Sequence, residues 1–122
     1  MDTLGTTPRN IDDPEVRSAL RHLDQQLRTR FGDDYSGLIL FGSRARGDNA
    51  PDSDVDVAVV LRKPIRNRWR LKCQVIDETY PILLDTGLYI QPWPVELREL
   101  DAPDKSSNPS LLRNIINDGI AV

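Results

Sequence analysis

Residues 41–60 read FGSRARGDNAPDSDVDVAVV, and this stretch decides the fold. Two aspartates at alternate positions, Asp54 and Asp56, open an apolar run that predicts a strand. Strand side chains alternate between the faces of a sheet, so both carboxylates are expected on one face. They repel each other there, and a shared cation is the simplest way to balance them. Mg²⁺ fits best, because it takes a few carboxylates together with waters and substrate phosphates.

The residues upstream of the aspartates predict a phosphate-binding turn. Gly42 allows close backbone approach, Ser43 adds a hydroxyl and N–H donors, and a short helix beginning near Ser43 would add its positive end. Arg44 and Arg46 are predicted to neutralise a triphosphate, and Gly47 lets the chain turn. A glycine–serine pair alone is usually a turn, and two alternate aspartates alone are usually an exposed strand end. Their combination with the arginines favours a phosphate and metal site.

Composition limits the class of protein. The chain has 122 residues with 39% apolar and 29% charged side chains, which is typical of one globular domain and too short for an additional substrate domain. A net charge of −3 argues against general nucleic-acid binding. The single cysteine, Cys73, and single histidine, His22, exclude a disulfide framework and a cysteine- or histidine-rich metal centre. No signal peptide or membrane span is recognisable, so a cytoplasmic location is expected.

The first half of the chain predicts one helix and two strands. Asp13 is expected to cap a helix that carries apolar residues at three- and four-residue spacing and ends at Gly32. The apolar run at 37–41 predicts a buried strand, and the run at 55–61 predicts a second one.

The second half predicts a long helix over 66–85, a strand over 88–95 and a final helix capped by Asn108. The long helix contains one apolar stripe that is expected to serve in packing, formed by Trp69, Cys73, Ile76, Tyr80 and Leu83. Two prolines place the strand at a sheet edge, and a polar loop is expected at 101–109. The predicted fold class is therefore α/β (α+β), a small mixed β-sheet with helices packed on it. One domain covers 13–122 after a flexible segment at 1–12.

These motifs resemble those of the minimal nucleotidyltransferase family, a branch of the DNA polymerase β-like superfamily. Its signature is a glycine–serine pair, ten residues and two alternate aspartates, and Gly42, Ser43, Asp54 and Asp56 match it position for position. GSRARG is the common form of its first part. The C-terminal sequence NPSLLRNIINDGIAV is similar to the helix that ends many members. The resemblance implies the nucleotidyltransferase fold over most of residues 13–122.

The resemblance also implies a reaction. An acceptor hydroxyl would attack the α-phosphorus of a nucleoside triphosphate, with ATP as substrate, and release pyrophosphate. Asp54 and Asp56 would be the catalytic and metal-binding residues for two Mg²⁺ ions. Gly42, Ser43 and the two arginines would bind the nucleotide phosphates.

One position departs from the family pattern. Active members usually supply a third carboxylate from the next core strand, and here the facing residue of that strand is predicted to be Gln91. Asp85 would restore the carboxylate if the strand began at Ile82, but the sequence LLDTG favours a helix end there.

Some small members of the family are antitoxins that attach AMP to an all-helical HEPN toxin. The resemblance therefore implies a Mg²⁺-dependent nucleotidyltransferase antitoxin with a protein partner, as a homo- or hetero-oligomer without membrane contact. Gln91 leaves an alternative, an inactive adaptor of the same fold that binds nucleotide or partner without transfer. A third interpretation, transfer to an aminoglycoside-type small molecule, needs an extra subunit or a dimer to complete the pocket.

Overall fold

The computed structural model describes residues 11–122. The helices of this part are α1 Pro14–Phe31, α2 Ser43–Arg46, α3 Arg68–Thr86, α4 Leu97–Asp101 and α5 Pro109–Asp118, and the strands are β1 Tyr35–Phe41, β2 Val55–Leu61, β3 Ile90–Glu96 and β4 Ile120–Ala121. Two 3₁₀ turns, at Gly32–Asp34 and Pro103–Lys105, complete the order. None of the helices described here is long and apolar enough to cross a membrane.

The four strands form one mixed sheet in the order β3-β2-β1-β4. β1 is antiparallel to both β2 and β4, whereas β2 and β3 run parallel. The predicted fold class, a small mixed sheet with helices packed on it, is confirmed. The two-residue strand β4 and the short helix α4 were not predicted, and α4 begins just before the expected polar loop.

Helices cover both faces of the sheet, which explains why β2 is continuously apolar from Val57 to Leu61. Val57 and Val59 face the core layer that contains the buried residues of α1 and α3. Ala58 and Val60 face the opposite layer, where Leu112 and Ile115 of α5 pack. A strand that is buried on both sides has no polar positions to alternate with its apolar ones.

Helix α1 begins and ends where the sequence predicts. The Asp13 side chain accepts hydrogen bonds from the backbone N–H groups of Glu15 and Val16, and Gly32 ends the helix at φ 58°. Of the segment predicted to be flexible, residues 1–10 lie outside the described part of the chain. Ile11 is buried against the core and its carbonyl accepts from Arg17, so packing begins ahead of the predicted domain boundary.

The predicted packing face of α3 is wrong. Val75, Thr79 and Ile82 are its buried residues, whereas Trp69 and Tyr80 of the predicted stripe are 72% and 57% exposed. The sequence contains two apolar arcs on this helix, and both have helical spacing. Periodicity alone cannot decide which arc meets the sheet.

Strand β3 lies at the sheet edge, as its prolines predict. The Val55 N–H donates to the carbonyl of Tyr89, so odd-numbered residues of β3 turn their backbone groups toward β2. Pro92 and Pro94 therefore turn theirs outward, and the Pro94 carbonyl accepts a 2.7 Å bond from the Arg68 guanidinium.

Candidate functional site

Gly42 and Asp56 touch because of the register of the first two strands. Phe41, the last residue of β1, pairs with Asp56 near the start of β2, so Gly42 lies directly beside the Asp56 side chain. A Cβ on residue 42 would lie 2.8 Å from Asp56 Oδ2, and Gly42 has a φ of 77°. Both the space and the backbone conformation therefore require glycine at this position.

The predicted short helix is present directly after Gly42. The N–H groups of Ala45 and Arg46 donate to the Gly42 carbonyl, and the Gly47 N–H donates to Ser43 at 2.8 Å. Gly47 ends this single turn in the left-handed conformation. The turn places Ser43 directly after Gly42, the residue that contacts Asp56.

Arg44 contacts the loop that leads into β2. Its Nε donates to the Ser53 carbonyl at 2.9 Å and its Nη2 to the Pro51 carbonyl at 3.0 Å. An ion pair of 3.8 Å joins it to Asp13, and only 7% of the side chain is exposed. Arg44 thus holds this loop in place, and phosphate binding by the residue stays a prediction.

Arg46 joins the short turn after β1 to the end of α5. Its guanidinium pairs with Asp48 at 3.1 Å and with Asp118 at 2.8 Å, and half of the side chain is exposed. These two carboxylates raise the pKa of Arg46. Asp118 belongs to the C-terminal sequence on which the family resemblance rests, so this ion pair gives that sequence a role at the site.

Asp56 is a half-buried carboxylate beside a second one. Burial raises the pKa of Asp56 above its usual value, the Trp93 hydrogen bond lowers it, the like charge of Asp54 raises it and Arg46 lowers it. The net direction is upward, so negative charge at this site is insufficiently compensated by the protein. Asp54 is exposed at the entrance to β2. The pair supplies carboxylate oxygens suited to a hard cation such as Mg²⁺.

The neighbour of Asp56 on β3 carries no charge. Gln91 pairs with Asp56 in the parallel ladder, at the place where the sequence predicted it. Trp93, two residues further along the same face, donates from Nε1 to Asp56 Oδ1 at 3.3 Å. This contact was not predicted, although the alternation of β3 places Trp93 on the same face as Gln91.

Among residues 11–122, no other carboxylate is found in the third position. Asp85 lies in the last turn of α3, where Gly87 caps the helix by donating to Leu83, so the alternative strand beginning at Ile82 is wrong. Within residues 11–122, no group of three or more histidine, cysteine, aspartate or glutamate side chains is placed to hold a metal ion.

Comparison with known families identifies the fold and the class. The model of the nucleotidyltransferase domain family matches residues 20–122. The chain belongs to this family. The resemblance predicted from the glycine–serine pair and the two aspartates is thereby confirmed. The catalytic and binding roles assigned to the residues described above remain predictions.

Two proteins of Methanocaldococcus jannaschii are similar in sequence. "Putative protein adenylyltransferase MJ1305" is 33% identical over 99 residues, which are 81% of this chain and 66% of that protein. "Putative protein adenylyltransferase MJ0604" is 32% identical over 101 residues, which are 83% of this chain and 91% of that protein. The alignment thus covers nearly all of MJ0604. MJ1305, in contrast, extends well beyond the aligned region.

Two solved structures are similar in fold. The crystal structure of a putative nucleotidyltransferase from Sulfolobus solfataricus has a TM-score of 0.56 and 18% identity, and the match covers 96% of this chain and 88% of that one. A toxin–antitoxin structure with AMP-PNP has a TM-score of 0.49 and 23% identity, with 81% and 68% covered.

The Gly42→Ala substitution is expected to disrupt the site. The added Cβ meets Asp56 Oδ2 and the residue must keep a positive φ, which together should cost about 1 to 3 kcal/mol of unfolding free energy. Chemical denaturation measures this loss. Gly37→Ala in the preceding strand β1 is the matched control, because nothing lies within 4 Å of the added Cβ there. Equal effects of the two substitutions would contradict the proposed close packing.

Asp56→Asn is expected to stabilise the nucleotide-free and metal-free protein at neutral pH. The folded-state pKa of Asp56 is raised, so wild-type stability falls as pH rises from the ordinary carboxylate pKa through the folded-state value. The asparagine variant does not lose stability over this pH range. Its Tm should therefore exceed that of the wild type at neutral pH, and the difference should disappear in acid. Asp52→Asn, an exposed change in the preceding turn, is the control. A Tm difference that is independent of pH would contradict the expectation.

Proposed function

We propose that the chain is a Mg²⁺-dependent nucleotidyltransferase that transfers AMP from ATP to a hydroxyl group of a partner protein, as the antitoxin of an HEPN toxin. The observation that carries the proposal is the contact of Asp56 with Gly42, which brings the aspartate pair next to the turn that is predicted to bind phosphate. The names of the two sequence relatives support a protein acceptor. The antitoxin role rests on the resemblance to small members of the family.

The residues of the site fit a magnesium ion. Asp54 and Asp56 would hold it from the chain, and the phosphates and waters would supply its other ligands. When bound, Mg²⁺ neutralises phosphate charge and orients the triphosphate for in-line displacement. Because burial, and to a lesser extent the charge of Asp54, raises the pKa of Asp56, a cation that arrives with the nucleotide would stabilise the ionised form of this carboxylate.

The order of the strands suggests where each substrate lies. Gly42 and Ser43 directly follow β1, Asp56 lies on β2, and Gln91 lies on β3. Phosphates bound to the backbone N–H groups of the turn would occupy the β1 side. The acceptor hydroxyl would then approach the α-phosphorus from the β3 side, past Gln91 and Trp93.

The transfer forms a bond between the acceptor oxygen and the α-phosphorus, and breaks the bond between that phosphorus and the pyrophosphate oxygen. The acceptor hydroxyl must also lose its proton. The Gln91 amide cannot accept it, so the proton must pass to an aspartate or to water. Catalysis here would depend chiefly on positioning and charge compensation.

Labelled nucleotide tests the proposal directly. Added to a protein extract of the source organism with Mg²⁺, the purified chain should produce a newly labelled protein when ATP carries the label at the α-phosphate. With ATP labelled at the γ-phosphate, the chain should add no labelled protein to those already labelled by kinases of the extract. Asp54→Asn and Asp56→Asn should each lower labelling by about 100-fold or more, because each removes a metal ligand. Asp52→Asn is the matched control. Labelling that survives in both variants would overturn the assignment of the site.

Gln91 favours a second candidate, an adaptor that binds nucleotide or partner without transferring AMP. The Gln91→Asp variant separates the two functions. An enzyme limited by its missing carboxylate should gain transfer activity, because the substitution restores a third metal ligand beside Asp56. Gln91→Asn is the control that keeps the position neutral.

The adaptor predicts a different combination of results. Calorimetry with a non-hydrolysable ATP analogue would detect binding in the wild type, while neither the wild type nor the Gln91→Asp variant would label any protein. Transfer by the wild type would exclude the adaptor.

A further inference from the structure

Basic side chains are concentrated in one short stretch that the proposed site does not use. Residues 62–72 contain six of the 16 lysines and arginines of the chain and no acidic residue, although the whole chain has a net charge of −3. The stretch forms the loop after β2 and the start of α3. Its cations are Arg62, Lys63, Arg66, Arg68, Arg70 and Lys72.

Four of these six cations are engaged within the chain. Arg62 donates to two backbone carbonyls, and Lys63 pairs with an aspartate at 2.9 Å. Arg68 pairs with a glutamate at 2.6 Å, and Lys72 lies 5.0 Å from the centroid of a tryptophan ring. These contacts hold the loop and the helix start in place, and they leave two arginines to be explained.

The two remaining arginines, Arg66 and Arg70, line the same surface cavity. Both side chains are exposed, and neither guanidinium group has a partner among residues 11–122. The cavity has a volume of about 580 Å³, which is within the range of ligand pockets. None of the described residues that line it is acidic. Its apolar lining includes Phe31, Leu61, Ile65 and Leu71.

The wall of the cavity is fixed by hydrogen bonds. The Ile65 N–H donates to the buried Glu96 carboxylate at 2.9 Å. The Asn67 side chain accepts from the Arg70 N–H at 3.0 Å and caps α3. A partner that enters this cavity therefore meets a preformed surface and does not have to order the loop.

The cavity lies at the opposite end of β2 from the candidate active site. Leu61, which lines the cavity, ends this strand, and Asp56 lies near the start of it. The separation along the strand is about 17 Å. The cavity is thus a second surface of the molecule, distinct from the place where the nucleotide is predicted to bind.

We propose that this cavity docks an acidic segment of a partner protein. One apolar side chain of the segment fills the cavity and contacts its apolar lining. Carboxylates on either side of that side chain pair with Arg66 and Arg70. An apolar anchor in a pocket with polar groups around its edge is the usual arrangement at the centre of a protein interface.

The exposure of the arginines favours a protein segment over a small anion. An ion pair at an exposed position contributes little by itself, because water screens it. A ligand that depends on such pairs must form several of them and bury apolar surface as well. An acidic segment with an apolar side chain does both. A nucleic acid would meet the repulsion of a chain with a net negative charge.

Docking at this cavity has a role in the proposed transfer. A protein held here is close enough to extend along the molecule to Asp56, so binding and chemistry would use separate surfaces. This role rests on the proposed function, whereas the docking itself requires no nucleotide. The two can therefore be tested independently.

An NMR titration of the isotope-labelled full chain tests the docking. The probe is a synthetic peptide with a phenylalanine between two pairs of glutamates, added without nucleotide. Amide signals of the cavity residues Ile65, Asn67 and Leu71 should shift. The Kd should be about 1 mM or tighter at low salt and should weaken as salt is added. Two control peptides, with alanine for the phenylalanine or with lysines for the glutamates, should each bind about tenfold more weakly or worse.

Charge reversal identifies the arginines that hold the segment. Arg66→Glu and Arg70→Glu should each weaken binding of the glutamate peptide about fivefold or more, because each replaces an attraction with a repulsion. Folding should not suffer, since both positions are exposed and the α3 dipole favours a glutamate in its first turn. Circular dichroism verifies the fold. Arg21→Glu, an exposed change on α1 outside the cavity, is the matched control and should bind like the wild type.

Several results would overturn the docking site. Cavity signals that do not shift, equal binding of either control peptide, or unchanged binding in both arginine variants would each do so. A single-stranded oligonucleotide that shifts these signals where the peptide does not would assign the cavity to nucleic acid. Shifts caused by concentrating the chain alone would assign it to a second copy. Loss of transfer in Asp56→Asn with intact peptide binding would leave the docking site in place.

Discussion

The pairing of Phe41 with Asp56 is the constraint on which the site depends. It brings the end of β1 against the start of β2, where a glycine is needed to make room for a carboxylate. The turn that follows and the loop secured by Arg44 are then fixed relative to Asp56. A shift of one residue in this register would turn Asp56 into the opposite core layer and destroy both the packing and the site together. Fold and site therefore depend on the same ladder.

Two neighbours of Asp56 distinguish this site from one with three carboxylates. Gln91 contributes an uncharged amide, and Trp93 contributes an N–H donor in place of further negative charge. The protein thus presents less charge to a cation than three carboxylates would. The phosphates of a bound nucleotide would carry a larger share of its coordination. Cation and nucleotide binding are accordingly expected to be strongly coupled at this site.

The sequence predicted the elements that have strong local signals. Asp13 and Asn108 cap their helices through side-chain hydrogen bonds, and the span of β2 follows from its apolar run. The solvent-exposed face of α3 was not predicted, because packing against the sheet chooses between two arcs that look alike in the sequence. The role of Arg44 was not predicted either, because its hydrogen-bond acceptors are backbone carbonyls of a loop. Contacts formed by tertiary packing leave no such local signal.

Pro92 and Pro94 have a consequence for assembly. A strand at a sheet border normally offers N–H groups on which another chain can add a strand, in functional complexes or in aggregates. Both prolines turn outward on β3 and lack these donors, and Arg68 already binds the Pro94 carbonyl. Extension of the sheet at this border is thereby blocked. Any protein that binds here must recognise side chains, which allows selectivity that backbone pairing would not provide.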